Sequence, residues 1–253
     1  MISLSGNAWR LNGVRCVLFD KDGTLVDSHL YWGRIIERRA RAILCGYRLA
    51  EDAFVPLCLS MGLDVSTGRL RPEGPIALVS REEVISVVLH ELAGMGVAAT
   101  EPALGQLFVQ EHQAFLPELF SYVRMLPGVR ELLVQLKQAG VKTAVVTTDT
   151  VPNTLETLGR LGLDHLFDAV IGKESTKEPK TSGVPATLAL QRLGLPPKGA
   201  VCIGDAPMDL IMAQKGGLQA GIWVATGQIE GARLAQYSPY GVESLHDLQI
   251  EQE

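Results

Sequence analysis

Apolar and polar positions along the chain follow two rhythms. Val17, Leu18 and Phe19 form a continuous apolar run that ends abruptly in Asp20-Lys21-Asp22-Gly23-Thr24-Leu25. A short apolar run closed by a turn signal reads as a buried strand delivering its carboxyl end to a loop. Ahead of it, Met1 to Asn12 is expected to form a short arm. From His29 to Gly46 apolar residues recur at helical spacing, at Trp32, Ile35, Ile36, Ala40 and Ile43, which predicts a helix. Around Asp52 to Gly74, the residues Pro56, Gly62, Gly68, Pro72, Gly74 and Pro75 break any long element. Helical periodicity resumes from Ser80 or Arg81 to Ala93, opened by the capping-box spacing Ser80-Arg81-Glu82-Glu83. A further helix is expected from Glu101 to Tyr122, interrupted near Pro117. The whole stretch from about His29 to Tyr122 therefore reads as helical, with no strand in it.

At Pro127-Gly128 the rhythm changes. Val129 to Ala139 is amphipathic, and Val141 to Thr147 is a β-branched run ending in Thr147-Thr148-Asp149. The alternation continues with a helix from Thr154 to Leu161, a strand from Ala169 to Ile171, a helix from Pro185 to Leu193 and a strand from Ala200 to Ile203 that ends in Gly204-Asp205. A helix at about Asp209 to Lys215 and a strand from Ala220 to Val224 close the series. Strands separated by helices predict an α/β fold, a Rossmann-like parallel sheet flanked by helices, with ligands beyond the carboxyl ends of the strands. The helical stretch is then an inserted domain: residues 1–27 and 124–253 form the core and 28–123 the insert.

Composition narrows the picture. A chain of 253 residues that is 47% hydrophobic suits one globular domain, or a core carrying a smaller insert. A net charge of -5 and a pI near 5.6 leave no electrostatic footprint for nucleic acid or an anionic membrane. Cys16, Cys45, Cys58 and Cys202 are scattered without a Cys-x-x-Cys pair, which fits a reduced, cytoplasmic setting. The N-terminus lacks the order of a secretory leader, and no apolar run reaches membrane-spanning length.

The candidate chemistry sits at the predicted strand ends. Residues i and i+2 of an extended backbone point to the same side, so Asp20 and Asp22 converge. Two such carboxylates repel unless a cation or a shared proton stands between them. Hard oxygen ligands of this kind suit Mg²⁺ together with a substrate phosphate. Thr147, a lysine within Lys173 to Lys180, and Asp205 with Asp209 stand at the ends of later strands. Each alone has an ordinary reading as a turn residue, a helix cap or a solvated lysine. Their order at successive strand ends is what points to a phosphate site.

The series Asp20-x-Asp22-Gly23-Thr24, then Thr147, then a lysine, then Gly204-Asp205-x-x-x-Asp209 resembles the four ordered motifs of the haloacid dehalogenase superfamily. Leu126-Pro127-Gly128-Val129 and Ala213 to Gly217 are similar to its phosphoglycolate-phosphatase-like branch, and residues 28–123 stand where that family carries a helical cap of the C1 type. The resemblance implies a phosphatase acting on a small phosphorylated metabolite. In it Asp20 is the nucleophile and Asp22 the acid and base. Asp20, Asp205, the Asp22 backbone carbonyl and Asp209 (as ligand or outer partner) serve Mg²⁺. Thr147 is a donor to phosphate, and backbone N–H groups around Asp22, Gly23 and Thr24 and at Thr148 complete the cradle. Where the family usually shows Lys-Pro-x-Pro, this chain reads Lys177-Glu178-Pro179-Lys180-Thr181-Ser182-Gly183. Counting back from Leu193-Gly194-Leu195 favours Lys180 over Lys177.

Asp22 argues against a dehalogenase, which protonates no phosphate leaving group, and against the phosphonate-cleaving branch, which typically has Ala there. A sugar phosphomutase would share the core residues but commonly carries a cap histidine where Trp32 stands. A non-catalytic module binding a phosphometabolite or a protein partner is the other class to separate. Tyr31 and Trp32 are candidate substrate contacts, against a packing role. Arg69, Arg71 and Arg81 are candidate partners for an anionic leaving group, against a solvated one.

Overall fold

The computed structural model describes residues 1–252. Contacts divide the chain into two compact units, Met1–Asp27 with the chain from Arg124 onward, and Ser28–Val123 between them.

In chain order the elements are β1 (Ile2–Gly6), β2 (Trp9–Val14), β3 (Cys16–Phe19), α1 (Ser28–Tyr47), α2 (Phe54–Met61), β4 (Leu63–Asp64), β5 (Arg69–Leu70), α3 (Arg81–Gly94), α4 (Glu101–Leu119), α5 (Val129–Gln138) and β6 (Lys142–Val146). They continue with α6 (Val151–Arg160), β7 (Ala169–Ile171), α7 (Val184–Leu193), β8 (Ala200–Gly204), α8 (Pro207–Lys215), β9 (Ala220–Val224), α9 (Gly231–Leu234), β10 (Gly241–Val242) and β11 (Gln249–Gln252).

The discontinuous unit is built on a parallel six-stranded sheet in the order β10-β9-β8-β3-β6-β7. Every residue of β3 and β8 is buried, the signature of strands covered on both faces. On one face Cys16, Leu18, Ala144 and Cys202 pack against Ala186, Ala189 and Leu190 of α7 and Met212 and Ala213 of α8. On the other, Phe19 meets Phe167 edge to face with centroids 6.1 Å apart. β3 lies between β6 and β8 with Phe19 level with Val145 and Ile203. The loops after these three neighbouring strands therefore open on one end of the sheet.

The N-terminal residues do not form an arm. β1 and β2 are a hairpin, and β11 pairs with β1 to complete a three-stranded antiparallel sheet. Ile2 and Leu4 alternate inward and are fully buried, so the short segment is held by a core face rather than left free.

The inserted unit packs α1, α2, α3 and α4 around one apolar cluster that includes Ile36, Ile43, Leu57, Met61, Val88, Leu92 and Phe108. Ser80 caps α3, its hydroxyl accepting from Glu83 N–H at 3.2 Å. Two expectations are corrected. The insert is not wholly helical, because β4 and β5 form a small antiparallel hairpin. Its turn is set by Asp64 Oδ1, which accepts from Ser66 N–H, and by Gly68 at φ 68°. Nor does Pro117 interrupt α4, which runs to Leu119 before a 3₁₀ turn at Phe120–Tyr122. Proline removes one hydrogen bond, and so close to the helix end little remains to be lost.

Candidate active site

Asp20 directly follows β3, and its N–H donates to Ile203 O of the neighbouring strand at 2.9 Å. Its carboxylate leaves the sheet at the end where β6 delivers Thr147 and β8 delivers Asp205. Lys180 crosses to the same place from a 3₁₀ turn, with Nζ 2.5 Å from Asp20 Oδ1 and 2.5 Å from Asp209 Oδ1. Lys180 is buried at this cluster, whereas Lys177 is exposed. Asp209 sits in the first turn of α8, and its Oδ2 accepts from Ala206 N–H at 3.0 Å. Asp205 accepts from Thr24 Oγ1 at 3.2 Å. Asp20, Asp205 and Asp209 each offer an oxygen within 4.8 Å of the others.

The backbone closes tightly on Asp205. A Cβ on Gly23, which has φ 85°, would lie 2.3 Å from Asp205 Oδ2, and one on Gly227 only 1.7 Å from it. Thr226 Oγ1 donates to Gly23 O at 2.6 Å, binding the loop after β9 to the loop after β3. One expected role changes. Gly23 N–H donates to Val26 O at 2.7 Å and so is committed within its own loop rather than to a phosphate. Thr24, fully buried, turns its hydroxyl to Asp205. Thr147 is buried and its Oγ1 accepts from Asp149 N–H at 3.1 Å, which leaves the hydroxyl proton free to donate. Thr148 is exposed. Thr147 and Thr148 line a cleft of about 370 Å³ together with Lys173, Lys177 and Lys180.

The electrostatics are those of a crowded acidic site. Burial pushes the carboxyls of Asp20 and Asp205 above their ordinary range, Asp209 adds to this by repulsion, and Lys180 pulls against it. Burial alone would disfavour the Lys180 ammonium, but Asp20 and Asp209 outweigh it and push that pKa up. Burial also raises the Asp22 carboxyl, opposed by Lys21, whose Nζ lies 2.9 Å from Asp22 Oδ1. One ammonium beside three carboxylates leaves negative charge uncompensated. Asp209 Oδ1 is buried with no aligned hydrogen-bond donor, although Lys180 stands at ion-pair distance. Hard oxygen donors with spare negative charge fit a divalent cation such as Mg²⁺.

Residues 14–217 match the family described as hydrolase, haloacid dehalogenase-like hydrolase. The chain belongs to this family. Among individual relatives of this haloacid dehalogenase-like hydrolase, the pyrophosphatase PpaX of Bacillus velezensis is 27% identical over 93% of this chain and 94% of its own length. A phosphoglycolate phosphatase of Yersinia pestis is 28% identical over 82% of this chain and 80% of its own. The crystal structure of a predicted phosphoglycolate phosphatase from Haemophilus somnus superposes with a TM-score of 0.70 at 22% identity, covering 94% of this chain and 97% of that one.

The other candidates in this haloacid dehalogenase-like hydrolase belong to the insert. Tyr31 and Trp32 meet edge to face at 5.3 Å, and Trp32 packs on the apolar clusters. His29 is buried with Nδ1 accepting from Leu70 N–H at 3.0 Å, which fastens β5 to α1. Arg69 stands 3.0 Å from His29 Nε2, Arg71 pairs with Glu73 at 3.8 Å, and Arg81 is exposed at the start of α3. Among the described residues no helix is long and apolar enough to cross a membrane.

The reading from residue types missed Lys21, Asp149, Thr226 and Gly227. Thr226-Gly227 follows β9, so the rule that polar residues at strand ends build the site applies there as well. Lys21 stands between Asp20 and Asp22 in sequence, but its ion pairs are with Asp22 and the distant Asp149.

Proposed function

We propose that this protein is a Mg²⁺-dependent phosphatase that hydrolyses a small phosphate monoester, of the phosphoglycolate or sugar-phosphate type, through an aspartyl-phosphate intermediate. The observation that carries this reading is the meeting of Asp20, Lys180, Asp209 and Asp205 at neighbouring strand ends beside the Thr147 cleft. Asp20 would attack phosphorus, dividing the hydrolysis into two easier displacements. Lys180 holds Asp20 and matches part of the charge that gathers on the phosphoryl oxygens, and the Thr147 hydroxyl donates to one of them. Asp22 protonates the departing ester oxygen and then takes a proton from the attacking water.

Asp20, Asp205 and the Asp22 backbone carbonyl would hold Mg²⁺, with Asp209 acting through Lys180 and the Ala206 N–H. Bound there, the ion would offset repulsion between an anionic nucleophile and an anionic phosphate. Residues 28–123 serve as a cap that selects the leaving group. Relatives named pyrophosphatase and phosphoglycolate phosphatase support phosphoryl transfer to water and differ in the leaving group. The partner is accordingly a small phosphorylated metabolite in a cytoplasmic setting.

The deciding experiment is inorganic phosphate release from a panel of monoesters, with and without Mg²⁺, beside Asp20→Asn. Metal-dependent release that disappears in Asp20→Asn is the expected result. Phosphate retained on a sugar, with a sugar bisphosphate required, would assign a mutase. No release above the Asp20→Asn background on any ester would assign a binding module.

A further inference from the structure

Between the two acids of the first loop stands a lysine whose own side chain is almost completely buried. Burying an ammonium is costly unless it is paired and hydrogen-bonded, and Lys21 is paired twice. Its Nζ lies 2.9 Å from Asp22 Oδ1 and 3.1 Å from Asp149 Oδ2. The three members differ in how firmly they are held. Asp149 Oδ1 accepts from Thr150 N–H at 2.7 Å and from Asn153 Nδ2 at 3.2 Å, and its main chain accepts from Lys173 N–H and donates to Thr147 Oγ1. The Lys21 carbonyl accepts from both Leu25 N–H and Val26 N–H. Asp149 and Lys21 are thus fixed to the loops after β6 and β3. Asp22 takes its side-chain hydrogen bond from Lys21.

We propose that Lys21, braced by Asp149, is a positioning residue that parks the Asp22 carboxyl group and releases it to the leaving-group oxygen for proton transfer. The inference rests on the phosphatase reading above and concerns how its acid and base is handled. A lysine that served Asp22 alone would become a lone buried cation whenever Asp22 turned to the substrate, a penalty that would hold Asp22 back. With Asp149 as a second, immobile partner, Lys21 stays paired while Asp22 moves. An ammonium shared between two carboxylates also grips each less tightly. Asp149 places this brace on the same loop as Thr147, so the acid and the phosphate donor keep a common frame.

An Asp20 oxygen forms a bond to phosphorus as the phosphorus–ester oxygen bond breaks. The electron pair of that bond stays on the ester oxygen, which takes the proton of Asp22. Asp22, now a carboxylate, later removes a proton from the water that attacks phosphorus. The bond between phosphorus and Asp20 then breaks, with its electrons returning to the Asp20 carboxylate.

An alkoxide needs that proton and a nitrophenolate does not, so the ester itself reports on the position of the acid. kcat/KM covers the steps up to departure of the leaving group. It is to be measured for the best alkyl phosphate of the panel and for 4-nitrophenyl phosphate, in Lys21→Met and in the charge-balanced pair Lys21→Met with Asp149→Asn. Both variants are expected to lose about a hundredfold on the alkyl ester, the low end of what general acid catalysis supplies, and under about threefold on the aryl ester, with KM unchanged. Should Lys21→Met fail to fold, the charge-balanced pair decides. Losses that match on the two esters, or no loss on either, would overturn the inference. Failure of the phosphatase reading looks different: Asp20→Asn would then release phosphate from either ester as fast as the unaltered protein.

Discussion

Lys180 Nζ stands 2.5 Å from Asp20 Oδ1 and 2.5 Å from Asp209 Oδ1, so one buried ammonium joins the end of β3 to the first turn of α8. The pairing matters in both directions. It keeps two buried carboxylates tolerable, and it orients Asp20, the proposed nucleophile.

Replacing Lys180 by Ala leaves Asp20 and Asp209 unpaired in a buried site, while Lys177 is exposed. Lys180→Ala is expected to lower kcat at least about a hundredfold, the scale seen when one charge-stabilising donor is removed. Lys177→Ala removes an exposed side chain lining the Thr147 cleft and should lower kcat by under about tenfold. Phosphate release under saturating substrate measures both, and the reverse ranking would reassign the motif lysine.

Gly227 approaches Asp205 so closely that a Cβ would lie 1.7 Å from Oδ2. Gly227→Ala must therefore displace Asp205. The Mg²⁺ concentration for half-maximal phosphate release is expected to rise about 10- to 100-fold, as when a metal ligand loses its support. An unchanged Mg²⁺ titration would remove Asp205 from the metal site.

Three thiols are shut away. Burial pushes Cys16 and Cys58 up to about 12 and Cys202 well above its ordinary value, while Cys45 is exposed. A raised pKa keeps the thiol protonated, and only the thiolate reacts. At pH 8 an aromatic disulfide reagent is expected to label Cys45 alone, all four thiols reacting in denaturant. Fast labelling of a second cysteine in the native protein would contradict the burial.

Much of this was legible in the residue pattern, and the parts that were not share a cause. The βα alternation after Gly128 and the polar residues at Asp20, Thr147 and Asp205 are local signals, each written in a few neighbouring residues. β1 is different: Ile2-Ser3-Leu4-Ser5 alternates, but its partner β11 lies at the other end of the chain. Lys21 was unreadable for a related reason, since its second partner, Asp149, is remote in sequence. Gly227 has no chemistry of its own and acts through the side chain it admits. Lys180 could be ranked over Lys177 only by counting, because the burial that separates them belongs to the fold.

The hairpin that replaces the expected arm carries a stability consequence. Leu4 is fully buried, so Leu4→Ala should cost about 2–5 kcal/mol, as truncation of a core leucine does. The urea midpoint reads this directly, and a change within about 0.5 kcal/mol, typical of surface substitutions, would return the segment to the status of an arm.

The seam of the insertion is small. Asp27 N–H donates to Arg124 O at 2.9 Å, Leu126 N–H donates to Leu25 O at 3.0 Å, and Val26 bridges Met125 in antiparallel fashion. The chain thus leaves and re-enters the core at adjacent residues already locked together, and doubling the length of an excursion from such a point adds only about 0.6 kcal/mol of closure entropy. Lengthening of the segment at this doorway therefore carries little closure penalty for the core. Under the proposed cap role, leaving-group choice would then change in the insert while the strand ends that carry Asp20, Thr147 and Asp205 stay as they are.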